Sequence, residues 1–211
     1  MFVICLIYTF KIESFFDMKL DVQKKVKIIN KTMESIRKSD KTLHTITFPR
    51  LAEELEMPLE DLNDFFLNVE DIFLNEQKRV NRKMETFIES GLKKAKNAND
   101  AKELLEATTF KLIDLLPDYS DLVFSASFYL PQCQEERIRA KKYYKQSIKR
   151  IIKKGWPGKI NTVLDRQSDL VLLSFYGFYE YCAKVGKRER KAMHKDFTNM
   201  INLHLQDRLF F

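Results

Sequence analysis

Residues 47–66 read TFPRLAEELEMPLEDLNDFF, and this stretch decides the fold. Thr47 is a good helix cap, and Pro49 suits a first helical turn, where its missing N–H is not needed. Leu51, Ala52 and Leu55 share one face of a short helix. Pro58 drives Met57 out of the α region and ends that helix. A second short helix is predicted from about Leu59 to Phe66, burying Leu59, Leu62, Phe65 and Phe66. Two short helices across a tight turn, behind one longer helix, form a helix-turn-helix.

The longer helix precedes the pair. Val22, Val26, Ile29, Met33 and Ile36 recur at spacings of four and three, and the helix should stop near Ser39-Asp40. After the pair, the apolar positions Phe73, Val80, Met84, Phe87 and Ile88 predict a long helix from about Glu70 to Gly91, with Gly91 as its stop. Asn99 is read as the cap of a helix ending at Leu116, before Pro117. Tyr119 to Leu130 is short and apolar. Pro131 opens a basic amphipathic helix that ends at Gly155, and Trp156-Pro157-Gly158 is a turn. Lys159 to Val185 and Lys187 to Leu209 are the last two helices. Met193, Phe197, Met200, Ile201, His204 and Leu205 form the stripe of the final one. The reading is all-α, with nine helices, no strand and no internal repeat.

Composition agrees. Only 5 glycines and 5 prolines occur in 211 residues, against a usual share of about 12% for the two together. That is too few turn residues for a β-sandwich, and no glycines cluster as phosphate cradles require. Cys5, Cys133 and Cys182 are odd in number and far apart, which excludes a disulfide framework and points to buried free thiols in a reducing cytosol. His44, His194 and His204 lack ligand spacing, so no metal or other cofactor is expected. No nucleophile and base stand together, and the chain is not read as an enzyme.

Residues 1–17, MFVICLIYTFKIESFFD, form an apolar extension. The uncharged run from Phe2 to Phe10 is about half of the ~20 residues that a membrane span needs. Either Met18 is the native start, or the segment is an extra element packed on the body.

The net charge of +7 is unevenly spread. From Phe48 to Gln77 there is one base, Arg50, against nine acids. From Arg137 to Lys159 there are ten bases and no acid, read as a solvated face. Lys78, Arg79, Arg82 and Lys83 are read either as internal ion-pair partners of the acidic segment or as DNA contacts.

The stretch from Thr47 to Ile72 resembles the N-terminal pattern of the TetR family of bacterial transcriptional regulators. Thr47 matches the cap, and Leu51, Ala52, Leu55 and Met57 match the inner core. Leu62 and Phe66 match the buried face of the second short helix, and Glu70 and Ile72 the start of the next. The order of nine helices extends the resemblance over about residues 19–209. It implies a nine-helix TetR-like architecture: a helix-turn-helix DNA-binding domain at 18–68 and a helical regulatory and dimerisation domain at 69–211. It further implies a cytoplasmic homodimer without a membrane span, acting on operator DNA as a repressor controlled by a small apolar or aromatic ligand.

Carried onto this chain, the DNA-facing positions are Lys24, Lys25, Lys27, Thr47, Phe48, Arg50, Pro58, Leu59, Asp61, Asn63, Asp64 and Phe65. The ligand would lie among Phe110, Phe124, Phe128, Tyr144, Trp156, Phe175 and Tyr179. The sequence departs from the family on its DNA face. The turn glycine is Glu56, the phosphate-binding lysine is Val69, and Glu60, Asp61 and Asp64 crowd the reading helix. The alternative is therefore a protein of this fold that binds a lipid-like molecule or a protein partner and no DNA.

Overall fold

The computed structural model describes residues 21–36, 46–115 and 120–206. The apolar extension with Cys5, the Met18 start, the end of the first helix, His44, Pro117 and Leu209 lie outside the described residues. Among the described residues the chain is all-α, with nine helices and no strand. They are α1 (21–36), α2 (Phe48–Glu54), α3 (Leu59–Asn63), α4 (Val69–Lys94), α5 (Ala98–Leu115), α6 (Ser120–Tyr129), α7 (Pro131–Gly155), α8 (Asn161–Lys184) and α9 (Lys187–Leu205). None of them is long and apolar enough to cross a membrane. The chain divides into two compact units, one ending at Phe73 and one starting at Leu74. The division falls inside α4 rather than at its head.

In the first unit, α1 buries Ile28, Ile29, Met33 and Ile36. Val22 was expected on this stripe but is 56% exposed, so the covered part begins only at Ile28. Leu51, Ala52 and Leu55 of the α2 segment are buried, as their spacing predicts. The Ser35 hydroxyl donates to the Glu54 carboxylate and ties α1 to α2. Thr47 sits extended at the cap position, yet its side chain makes no capping bond.

The turn after α2 is closed by the backbone. Met57 N–H donates to the Ala52 carbonyl at 3.0 Å, and Glu56 N–H donates to the Glu53 carbonyl at 3.1 Å. This pair of bonds is a Schellman motif, which needs a left-handed residue just past the cap. Glu56 takes that conformation, at φ 52°, where glycine is usual. The helix α3 is shorter than predicted, although Phe66 N–H still donates to the Leu62 carbonyl at 3.0 Å. Leu62 and Phe66 are buried; Leu59 at the first position is 37% exposed and Phe65 half-buried, so the buried face is narrower than expected.

Two helices start with the same device. Asp71 N–H donates to Asn68 Oδ1 at 3.0 Å, while Asp71 Oδ2 accepts from Leu67 N–H. At α5, Asp100 N–H donates to Asn97 Oδ1 at 3.0 Å, and Asp100 Oδ2 accepts from Lys96 N–H at 2.6 Å. At α5 Asp100 Oδ2 also accepts from Asn97 N–H at 3.3 Å, which completes a reciprocal capping box; at α4 the returning bond falls one residue before the cap. The cap of α5 is thus Asn97, not Asn99.

Gly91 does not stop α4, which runs on to Lys94. A Cβ at Gly91 would stand 2.2 Å from Leu104 Cδ1, so the glycine is there to let α5 approach. Basic Lys93 and Lys94 in the last turn suit the negative end of the helix dipole.

In the second unit α7 packs against α5, α6 and α8. It buries Cys133, Glu136, Ala140, Ile148, Ile151 and Ile152, a helical stripe. Its flanks are not simply solvated. Lys145 and Lys149 pair with Asp169 and Asp165 of α8, at 2.7 and 2.6 Å. Arg139 and Arg150 pair with Glu85 and Glu89 of α4, both at 2.6 Å. Phe178 stacks on Phe197 at 4.2 Å and joins α8 to α9. On α9, Phe197, Ile201 and Leu205 are buried, whereas Met193 and Met200 face solvent. Cys133 and Cys182 are buried, and burial pushes the Cys182 thiol up to about 11.

An L-residue in the left-handed region costs about 1–2 kcal/mol, part of which glycine returns as unfolded-chain entropy. Glu56→Gly is expected to stabilise the protein by about 0.5–1 kcal/mol, while Glu56→Ala, which keeps the Cβ, gives no gain. Denaturant midpoints of the two variants measure the difference.

Candidate functional site

Each unit holds one group of the residues singled out by sequence. In the first, α3 turns Pro58, Glu60, Asp61, Asn63 and Asp64 to solvent, and Leu62 and Phe66 inward. The outward face carries three carboxylates and no cation. On α1, Lys24 and Lys27 are exposed; Lys25 is half-buried, its ammonium 5.9 Å above the Phe66 ring. Arg50 is exposed and lies 3.5 Å from Glu54 of its own helix. Thr47 is exposed and Phe48 half-buried.

In the second unit, helices α4 to α8 line a mostly apolar, partly open cavity of about 120 Å³. Phe124, Tyr144, Phe175 and Tyr179 line it. Phe110, Phe128 and Trp156 lie elsewhere. Phe110 is 49% exposed and meets His194 edge-on at 5.4 Å. Phe128 is exposed and carries the Arg137 guanidinium 4.3 Å from its ring centroid. Trp156 is core, with the Lys102 ammonium 5.5 Å over its ring. A cavity this size is comparable to the roughly 150 Å³ void that takes up benzene, and well below the 300–1,000 Å³ of drug-sized pockets.

Five polar lining residues were not singled out by sequence: Gln77, Asn81, Thr108, Ser127 and Arg137. The first two fall on the spacing of Val80, Met84 and Ile88, so the same periodicity places them on the inner face. Asn81 is fully engaged: its Oδ1 accepts from Tyr144 OH at 3.0 Å, and its Nδ2 donates to Glu136 Oε1 at 2.8 Å. Glu136 also accepts two bonds from Arg139, each 2.8 Å, and Arg139 reaches Glu85. Burial pushes the Glu136 carboxyl up, but the bonds from Arg139 and Asn81 outweigh it and hold it below its usual value. Burial raises the Tyr144, Tyr176 and Tyr179 phenols, so all three line the cavity as neutral groups. Thr108 and Ser127 spend their hydroxyls on the carbonyls of Leu104 and Phe124. Deeper in α4, Glu76 is fully buried and accepts both Nε and NH2 of Arg79 at 2.6 Å.

On the outside of this unit Leu170 and Leu173 of α8, and Met193, Met200 and Leu203 of α9, are exposed. Spacings of three and seven place each set on one helix face. Among the described residues no group of three or more His, Cys, Asp or Glu side chains could hold a metal ion.

No family model matches this chain. No curated protein matches its sequence. Among solved structures, the crystal structure of a presumed transcriptional regulator from Pseudomonas aeruginosa PAO1 is similar, with a TM-score of 0.62. The match covers 88% of this chain and 93% of that one, at 10% identity. The class so defined is an all-α, nine-helix fold headed by a helix-turn-helix.

Because the folded pKa of Glu136 is lowered, its contribution to stability is complete above the unfolded value of about 4.3 and is lost as pH falls through the lower folded value. Glu136→Gln should cost about 1–3 kcal/mol at pH 7. The deficit should shrink below about pH 4. Thermal unfolding of both proteins at pH 7 and pH 3 checks the sign.

Proposed function

We propose that this chain is a cytoplasmic, homodimeric transcriptional regulator of the TetR-like plan, a repressor released from its operator by a small apolar or aromatic ligand. The observation that carries the proposal is the pairing of two features in one chain. A helix-turn-helix closed by backbone bonds at Glu56 and Met57 heads the chain, and a mostly apolar cavity lies in its second unit. The fold similarity to the P. aeruginosa protein supports it. The domains are 18–68 for DNA and 69–211 for ligand and dimerisation. Lys24, Lys27 and Arg50 would meet phosphates, with Asn63 the residue of α3 suited to a base edge. Phe124, Tyr144, Phe175 and Tyr179 would hold the ligand. Occupancy would move α4, which carries Gln77 to Ile88 of the cavity wall, and so shift the two DNA-binding heads.

The exposed α8 and α9 rows support the dimer, since apolar rows at helical spacing are ordinarily covered. A second reading is favoured by one observation: Glu60, Asp61 and Asp64 all face solvent on α3. Carboxylates there would meet the phosphate charge of DNA at distances inside the ~8–10 Å screening length. In that reading the protein keeps the fold, binds no DNA, and takes a lipid-like molecule or a protein partner.

A gel shift with the DNA upstream of its own gene, across salt, separates the two. Sequence-selective binding that falls steeply with salt supports the regulator. No binding at low salt by folded dimer supports the second reading. If DNA is bound, Glu60→Gln with Asp64→Asn should strengthen non-specific binding severalfold and change stability by less than about 0.5 kcal/mol. Abolition of specific binding would instead mean that these acids read cytosines directly.

Sedimentation is expected to show a dimer at micromolar concentration. Leu173→Glu with Met200→Glu should yield a folded monomer, because a charge on each row cannot be buried against a second copy.

A further inference from the structure

Arg137 is unlike the other arginines of α7. Arg139 and Arg150 each hold a carboxylate. Arg137 lines the cavity, and among the described residues it has no ion pair and no hydrogen bond. Its Nε is buried without a partner. Its guanidinium rests on the exposed Phe128 ring at 4.3 Å, which holds the fork toward the solvent side of the cavity without neutralising it. The nearby acids are already committed. Glu136 is held by Arg139, and Glu76 by Arg79. Asp121 of α6 is not part of the cavity lining, although its Oδ1 is buried without a hydrogen-bond partner and its charge acts on Tyr179 of the wall. Among the lining residues Arg137 is the one charged side chain, and no carboxylate bonds to it.

A second polar group is left over. Gln77 is only 8% exposed, lines the same cavity, and has its Oε1 buried without a partner. Buried polar atoms are ordinarily bonded, and an orphan requires an explanation. The register of α4 on α7 places the two groups near each other. Asn81 bonds to Glu136, Glu85 to Arg139 and Glu89 to Arg150, so the helices run in the same direction. Gln77 then lies about one helical turn from the level of Arg137. The rest of the wall is aromatic and aliphatic, with Phe124, Phe175 and Tyr179 prominent.

We infer that the cavity takes a small aromatic carboxylate, its ring among Phe124, Phe175 and Tyr179 and its carboxylate on the Arg137 fork, with the Gln77 amide bonding at the same polar end. The guanidinium matches a carboxylate with two parallel bonds. A volume of about 120 Å³ accommodates one ring. A single fixed charge suits a monoanion better than a phosphate dianion. The Gln77 amide can turn its NH2 toward an acceptor. This inference rests on the cavity being the regulatory ligand site, and names the chemistry of the ligand.

The test is calorimetric titration of the full chain, without DNA, using benzoate and its neutral counterpart benzyl alcohol. Benzoate is expected to bind at least tenfold more tightly than benzyl alcohol. Arg137→Met should weaken benzoate by about tenfold or more, as loss of a charge-assisted hydrogen bond does. Circular dichroism and sedimentation of the same variant check that the fold is kept. Arg137→Lys, which keeps the charge and loses the fork, should fall between. Equal binding of the two probes by the unaltered chain, or benzoate binding indifferent to Arg137→Met, overturns the inference and leaves an apolar ligand site standing. If neither probe binds, the inference falls together with ligand control. DNA binding, measured separately, is untouched by either result.

Discussion

The second unit depends on the burial of one helix that is basic along most of its length. Helix α7 must hide Ala140, Ile148, Ile151 and Ile152 while carrying most of the ten bases between Arg137 and Lys159. Burial of an apolar stripe between close neighbours would press those cations together. The neighbours answer the charge: α4 supplies Glu85 and Glu89, and α8 supplies Asp165 and Asp169. Surface ion pairs each contribute little, about 0–1 kcal/mol. Their role here is to permit the approach of α4 and α8 to either flank, after which apolar contact supplies the stability. The cavity lies against this helix because polar Arg137 and Tyr144 interrupt the apolar stripe there.

The features legible in the sequence were those set by local chemistry. Pro49, Pro58 and Pro131 mark helix limits because proline fixes φ and restricts its predecessor. Leu51, Ala52, Leu55, Leu62 and Phe66 follow from spacing alone. What escaped was set by neighbours distant in the chain. Gly91 reads as a stop by local rules, and only the arrival of Leu104 shows why the helix continues through it. The cap at Asn97 was missed by two residues, since Asn99 offers the same side chain and the reciprocal partner Asp100 decides between them. The bases of α7 read as a solvated face because their partners lie on α4 and α8.

The site was legible in the same uneven way. Aromatic density in the second half marks a region, but which rings turn inward depends on how five helices are rotated. Phe124 and Phe175 point to the cavity; Phe110, of the same type, meets His194 outside it. Gln77 and Asn81 sit on the buried stripe of α4 and were passed over for being polar. On α3 the acids are where the sequence puts them, exposed, and no fold-level constraint obliges them to be acidic.

The contact between Gly91 and Leu104 has an evolutionary consequence. A side chain at 91 and a leucine at 104 compete for one volume, so the two positions are not free to drift independently. A lineage that acquires alanine at 91 must turn or shrink the side chain at 104 to keep α4 and α5 at this separation. Among descendants of this chain the pair should therefore covary, glycine with a large partner and alanine with a small one. A sequence violating that pattern would report a helix crossing that has shifted.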